Sequence, residues 1–209
     1  MFLVQNVETQ TCTDAVDEHV MRQARPREVK TAANSRIRLA LWLFLCGFVA
    51  HEFEEWNLVE WQLRNFSPDP GFSAHQSRVL LTLIATAGVF FAAPCIYFLS
   101  ERAALRVLIP LFVIPILGNA LTHIAWLVLF GSYASGVVTS ILILTPIAAY
   151  LIWISYVDFY LPRVLLAILV LLALIPAIGA IHAGRTISPS QIEVQKAGAR
   201  VADFIKPAA

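Results

Sequence analysis

From Ile124 to Val157 the chain runs for 34 residues without a charged side chain or a histidine. Val79–Ser100 adds a second such run of 22 residues, and Val164–Ile181 a third of 18. A helix needs roughly 20 predominantly apolar residues to cross the hydrocarbon of a bilayer. Runs of this length and number point to several membrane crossings. Composition agrees, since only 14% of the 209 residues are charged, against about 25% in a soluble domain. The expected fold is all-α: a polytopic membrane helix bundle of about five transmembrane helices, in one domain.

The chain reads in three parts. Residues 1–35 form a polar cytosolic tail, partly disordered, with a weak helix between Thr13 and Gln23 and the basic residues Arg22, Arg25, Arg27 and Lys30 at its end. Residues 36–183 hold the helices. These are expected at about Arg36–Trp61, Arg78–Leu99, Leu105–Phe130, Val137–Tyr160 and Val164–His182. Pro110 and Pro115 should bend the third, and Thr145-Pro146 should interrupt the fourth. Asn57–Ser77 reads as a short amphipathic segment at the interface, either a lid or a connector, ending in the turn Ser67-Pro68-Asp69-Pro70-Gly71. Residues 184–209 form a polar tail, helical in part between Ser190 and Ile205.

Met1–Gln10 has no apolar h-region, so the first membrane helix is expected to act as an uncleaved anchor. Five crossings put the two ends on opposite sides. With the N-terminus inside, nine Lys and Arg residues fall on cytosolic segments and six outside, which favours that orientation. Arg102 and Arg106 are counted there as loop residues. Cys12, Cys46 and Cys95 show no disulfide or zinc spacing and read as small apolar residues. A net charge of +1 gives no reason to expect nucleic acid; the expected surroundings are the lipid bilayer.

Against this background stands His51-Glu52-Phe53-Glu54-Glu55-Trp56, directly after the apolar run Leu39–Ala50. Twelve residues are too few to cross, so the span must run on through this acidic box, or it does not cross at all. Ionisable groups at that depth cost about 2.5–3.5 kcal/mol each on insertion scales and mark function by default. At about 100° per residue, Glu54 and Glu55 flank His51, and Gly47 shares that face. Glu52 falls at its edge and Phe53 points away, toward lipid. Gly47 would let a neighbouring helix approach closely.

On the same topology His123 lies about 11 Å below the outer end of the third helix and His51 about 8 Å below Trp56, at 1.5 Å per residue. Asn119 is one turn from His123 on one face. His182 is at the outer end of the fifth helix. A converging His51, Glu54, Glu55, Asn119 and His123 has three readings. One is a divalent metal site, with His51, Glu54, Glu55 and His123 as ligands and zinc, iron or manganese as the metal. Another is metal-free acid–base chemistry by carboxylates that cannot all ionise together. The last is a buried network that only locks two helices. The hydroxyls of Thr82, Thr86, Thr139, Ser140 and Thr145 are expected to bond their own backbone, and His19 and His75 to be solvated.

His51-x-x-Glu54-Glu55 near the end of the first membrane helix, followed by Asn119-x-x-x-His123 in a later one, resembles the HXXEE family of integral membrane proteins. Both motifs stand without substitution, and the resemblance covers about Leu39 to His182. It implies that His51, Glu54, Glu55, Asn119 and His123 are the family's signature positions, and it supplies neither substrate nor reaction.

The leading expectation is a membrane-embedded enzyme acting on a lipid or other apolar substrate. His51 and His123 would be metal ligands or proton carriers, Glu54 and Glu55 ligands or general acid and base, and Asn119 an orienting donor. A transporter using the same groups as a relay for protons or divalent cations is the alternative, and a non-catalytic scaffold a third. There is no phosphate-binding glycine loop, Gly-x-Ser-x-Gly elbow, His-Glu-x-x-His motif or haem attachment site, which argues against kinases, motors and standard serine hydrolases.

Overall fold

The computed structural model describes residues 36–67, 73–186 and 189–205. The expected N-terminal tail with its basic run and the turn at Pro68–Gly71 lie outside these. The described chain is helical, without strands among its described residues. In order it forms α1 (residues 36–54), a 3₁₀ turn at Glu55–Asn57, α2 (Leu58–Asn65), α3 (Ala74–Phe98), α4 (Glu101–Phe130), α5 (Val137–Val157), α6 (Arg163–Ala183) and α7 (Pro189–Ile205). The chain divides into two units, Met1–Leu39 and Ala40–Ala209. Of the first only residues 36–39 are described, and they open α1.

Among the described residues four helices, α3 to α6, are long and apolar enough to span a membrane. α1 carries Arg36, Arg38, Glu52 and Glu54 as well as its apolar run and falls outside that set by composition. The molecule is an all-α membrane bundle with α4 at its centre. Of the apolar window of α4, 61% is buried, against 17% for α3 and 28% for α5 and α6. The outer helices turn Phe90, Phe98, Leu142, Trp153, Val164 and Leu171 outward, an apolar surface suited to lipid contact. α6 lies along α4. There Gly118 meets the Ala173 backbone, and a Cβ on it would stand 3.2 Å from the Ala173 carbonyl oxygen. Gly47 plays the same part between α1 and α5, where a Cβ would run into Ile143.

At the two places where prolines were expected to bend or interrupt a helix the chain makes π turns, at Ile109–Val113 in α4 and Ser140–Leu144 in α5, and each helix continues through them. Each starts six residues before a proline, Pro115 and Pro146. A proline inside a helix has no N–H to donate and crowds the carbonyl four residues back. Widening the turn relieves that carbonyl without breaking the helix.

Several helix ends differ from expectation, because caps and not apolarity set them. α3 begins at Ala74, where Ser73 accepts from the Gln76 N–H at 3.2 Å and Gln76 accepts from the Ser73 N–H at 3.0 Å, a capping box. α4 begins at Glu101, capped by Ser100, so Arg102 and Arg106 belong to the helix and not to a loop. α5 ends at Val157, since Phe159 takes φ +53°, which no helix continues. The first helix does not reach Trp61 but breaks into the 3₁₀ turn at Glu55. Ser73→Ala should cost about 1 kcal/mol, read as a lowered unfolding midpoint in detergent. An unchanged midpoint would show that the box contributes nothing.

The amphipathic segment after the box is α2, and it is docked. Trp61 meets Trp126, Phe130 and Phe66 at ring-centroid distances of 5.3, 5.4 and 5.6 Å. Its indole N–H donates to the Tyr133 carbonyl at 2.7 Å. The aromatic cluster closes the C-terminal end of α4, next to His123. The tail helix α7 packs on the start of α3, where Gln76 Nε2 donates to Asp203 at 3.3 Å and Gly198 lies under Leu80.

Candidate functional site

α1 and α4 present their motif residues to one another at one level. His51 and His123 are 0% and 1% exposed, and their rings meet edge to face at 5.0 Å. One carboxylate oxygen of Glu55, Oε1, lies between them, 2.8 Å from His51 Nε2 and 2.7 Å from His123 Nε2. Asn119 Nδ2 donates to the same oxygen at 3.1 Å and is 3.1 Å from His51 Nε2. The His51–Glu55 spacing of four residues is one helical turn. Unlike the three buried residues, Asn119 is exposed. It forms the edge at which the cluster meets its surroundings.

Glu54 goes elsewhere. Its carboxylate caps the N-terminus of α5, accepting from the backbone N–H groups of Val138 at 3.0 Å and Thr139 at 2.8 Å. The hydroxyls of Tyr133, at 2.8 Å, and Thr139, at 2.6 Å, donate to it as well. Four donors on two oxygens, at a helix N-terminus, are the surroundings of an ionised carboxylate. Burial, then the hydrogen bond to Glu54, pushes the Tyr133 phenol up to about 12. It therefore stays a donor throughout the neutral range.

Thr139 joins the two glutamates' territories. Its hydroxyl has one proton, and the shortest partner is the Glu54 carboxylate. Its oxygen must then accept from His51 Nδ1 at 2.8 Å, so Nδ1 carries a proton. The other nitrogen, Nε2, faces Glu55 Oε1 at hydrogen-bond distance. A bare nitrogen lone pair and a carboxylate oxygen repel at 2.8 Å. A proton or a metal cation must lie between them.

The loop joining α4 to α5, residues 131–136, seals this arrangement. Gly136, at φ +85°, passes so close that a Cβ would stand 2.8 Å from His51 Cε1 and 3.1 Å from both Glu55 Cγ and His123 Cε1. The Ser135 hydroxyl donates to the Glu54 carbonyl at 2.9 Å. Thr139, Tyr133 and Gly136 were not among the residues expected at the site. Ser140 and Thr82 follow the backbone-bonding expectation, donating to the carbonyls of Gly136 and Arg78, whereas Thr139 follows it only in part and turns to Glu54. The one advance signal was two glycines bracketing a six-residue loop beside the motif's leaflet.

His51, Glu55 and His123 each offer a ligand atom, all within 4.8 Å of one another. His123 Nδ1 is buried without a partner. His182 and His75 are exposed and stand outside this set. Glu52 is buried, faces α3 instead of the cluster, and leaves Oε2 without a partner.

A family model described as a protein of unknown function with HXXEE motif matches residues 42–151, more than half of the chain and both motifs. The chain belongs to the HXXEE family. In this member the motif's histidine and second glutamate meet the later helix, while its first glutamate secures the helix after that. No curated protein matches the chain, and no solved structure does.

Proposed function

We propose that this HXXEE protein is a membrane-embedded enzyme acting on an apolar or lipid substrate at the cluster of His51, Glu55, Asn119 and His123. The observation that carries the reading is the single Glu55 oxygen within 2.8 Å of two buried imidazole nitrogens. Three ionisable groups buried together within a bundle of apolar helices are expensive to retain for packing alone. Two nitrogens and a carboxylate oxygen suit zinc, iron or manganese, and His51, Glu55 and His123 are the residues that would hold such an ion. When bound, it supplies Lewis acidity and a bound water acidic enough to act at neutral pH.

The chain's own residues define the rest of the chemistry. Thr139 and Glu54 fix the proton of His51 on Nδ1 and direct Nε2 into the cluster, the support that metal-binding histidines commonly have. Glu55 holds charge of the opposite sign to whatever lies between it and the imidazoles. Asn119, half in the cluster and half outside, is placed to orient a polar group arriving from the membrane. The basic-residue bias supports an N-terminus in the cytosol, and with five crossings a cluster on the outer side. Acid–base catalysis without a metal is the second reading. It is favoured by the N–O distances of 2.7 and 2.8 Å, which are those of charge-assisted hydrogen bonds.

Elemental mass spectrometry on protein purified in detergent without chelators separates the two. The first predicts near-stoichiometric zinc, iron or manganese that is lost in folded His51→Ala and His123→Ala variants. Metal-free wild-type protein, even after resupply, would sink it. The acid–base reading would then be tested by turnover of lipid substrates, with proton flux in liposomes as the measurement that exposes a relay.

A further inference from the structure

At the end of the bundle away from the histidine cluster, the loop from α5 to α6 (residues 158–162) gathers three arginines. The first turns of α4 lie against this loop. Arg106 Nε donates to the Tyr160 carbonyl at 3.0 Å, and the Arg102 guanidinium carbon stands 5.7 Å from the centre of the Tyr160 ring. From the start of α6, Arg163 lies over two rings, 4.1 Å from the centre of Phe159 and 4.5 Å from that of Tyr156. At 1.5 Å per residue, about 30 Å of α4 separates Arg102 from His123.

All three arginines are exposed, and none reaches a carboxylate among the described residues. The acidic neighbours are Glu101 and Asp158, and Asp158 takes the Tyr160 hydroxyl. Arg102 and Arg163 are held by the faces of rings. A guanidinium stacked in this way keeps its N–H edge free, and that edge matches the oxygens of a phosphate. Phe159 is the only non-glycine residue at positive φ among the described residues, at +53°, and its side chain is exposed. That conformation is costly for an aromatic residue, and burial of the ring does not offset it. What the strained turn provides is a platform under Arg163, and backbone outliers of this kind gather at functional positions. The helices beside the loop are uncovered. α6 packs along α4 and scarcely meets α5, and Trp153, Val157, Val164 and Ile168 are exposed on α5 and α6. Free guanidinium edges directly beside apolar, uncovered helix surface fit a molecule with an anionic head and apolar chains. A soluble anion would use the arginines alone, and a zwitterionic lipid would bring its own cation toward them.

We infer that Arg102, Arg106 and Arg163, around the α5–α6 loop, bind an anionic phospholipid, its phosphodiester on the guanidinium edges and its acyl chains along α5 and α6. This site is separate from the His51–Glu55–His123 cluster and does not rest on its chemistry.

The test is native mass spectrometry of the full chain in a non-ionic detergent, titrated with dioleoyl phosphatidylglycerol or dioleoyl phosphatidylcholine. The two lipids share their acyl chains and differ in the charge of the head. The wild type should bind phosphatidylglycerol roughly tenfold more tightly or better, since each arginine near a membrane surface favours an anionic lipid by about fivefold. Arg163→Gln should lower that affinity about fivefold. Adding Arg102→Gln and Arg106→Gln should bring the two lipids level. Phe159→Gly, which relieves the strained turn and removes the ring under Arg163, should lower phosphatidylglycerol affinity about threefold without lowering the unfolding midpoint. All four positions are exposed, and unfolding midpoints show that the variants are folded. Equal binding of the two lipids by the wild type, or an undiminished preference in the folded triple variant, would overturn the site and leave these as ordinary interfacial arginines. Full competition by glycerophosphoglycerol, the same head without chains, at the concentration of the lipid would overturn the lipid in favour of a soluble anion. Metal content of the same samples reads the histidine cluster independently, so a failure of either site is seen apart from the other.

Discussion

Gly136→Ala is expected to lower the unfolding midpoint of the detergent-purified protein sharply, while Gly131→Ala lowers it only mildly. Both glycines take positive φ, +85° and +63°, a conformation that costs an L-residue about 1–2 kcal/mol. They differ in surroundings. Nothing lies within 4 Å of a Cβ on Gly131, whereas one on Gly136 meets His51, Glu55 and His123 together. Overpacking of this kind costs about 1–3 kcal/mol more. The Gly136 variant should therefore lose about 2–5 kcal/mol in total. The rings it would push are rigid and buried, so the strain cannot be shed by a flexible side chain. The same variant should also lose whatever the cluster binds. Equal losses in the two variants would show that the loop does not press on the cluster.

The loop's role bears on what could be seen in the sequence. His51, Glu55, Asn119 and His123 were legible because their placement depends on two simple things, the repeat of a helix and the depth of a residue below a span's end. Glu54 was legible as a motif residue, but its partner was not. It flanks the His51 face on the other side from Glu55, and only the packing of α5 decides which carboxylate meets a histidine and which a helix N-terminus. Thr139 was hidden by the usual habit of hydroxyls in spans, which it half obeys, lying 3.2 Å from the Gly136 carbonyl. Tyr133 and Gly136 were hidden because a loop's fold-back is a tertiary event with no periodicity. The helix cores followed from hydrophobic length. Their starts did not, because the first turn of α4 is charged and amphipathic, and Ser73 and Ser100 cap ahead of the apolar runs. Nothing in Glu55-Trp56-Asn57 announces the break after α1, since it contains neither glycine nor proline.

Glu54→Gln, almost identical in shape, is expected to be destabilising and to disturb the histidine cluster at a distance. The wild-type carboxylate accepts at both oxygens, Oε1 from Tyr133 and the Val138 N–H, Oε2 from the N–H and hydroxyl of Thr139. An amide must present its NH₂ on one side. On either side it faces a backbone N–H of the first turn of α5, and two donors then oppose each other. One unsatisfied backbone donor costs about 1–3 kcal/mol, and the lost charge at the helix N-terminus about 0.3–1 kcal/mol more. Where the NH₂ faces Thr139, the hydroxyl must accept from it and donate its proton elsewhere. His51 Nδ1 is in reach, and a proton received there forces the ring's own proton onto Nε2. The nitrogen that faces Glu55 is then no longer free to bind a cation. Loss of such a supporting contact typically lowers metal affinity 10–100-fold. The measurement is a metal titration of wild-type and Glu54→Gln protein beside their unfolding midpoints, with Tyr133→Phe as the control that removes one donor from Glu54 and leaves Thr139 untouched. Lowered midpoint with lowered affinity is the expected result for Glu54→Gln, and a small loss of midpoint alone for Tyr133→Phe. If Glu54→Gln lost stability yet bound metal as the wild type does, Glu54 would be a helix cap and nothing more, and the path from Glu54 through Thr139 to His51 would carry no influence on the site.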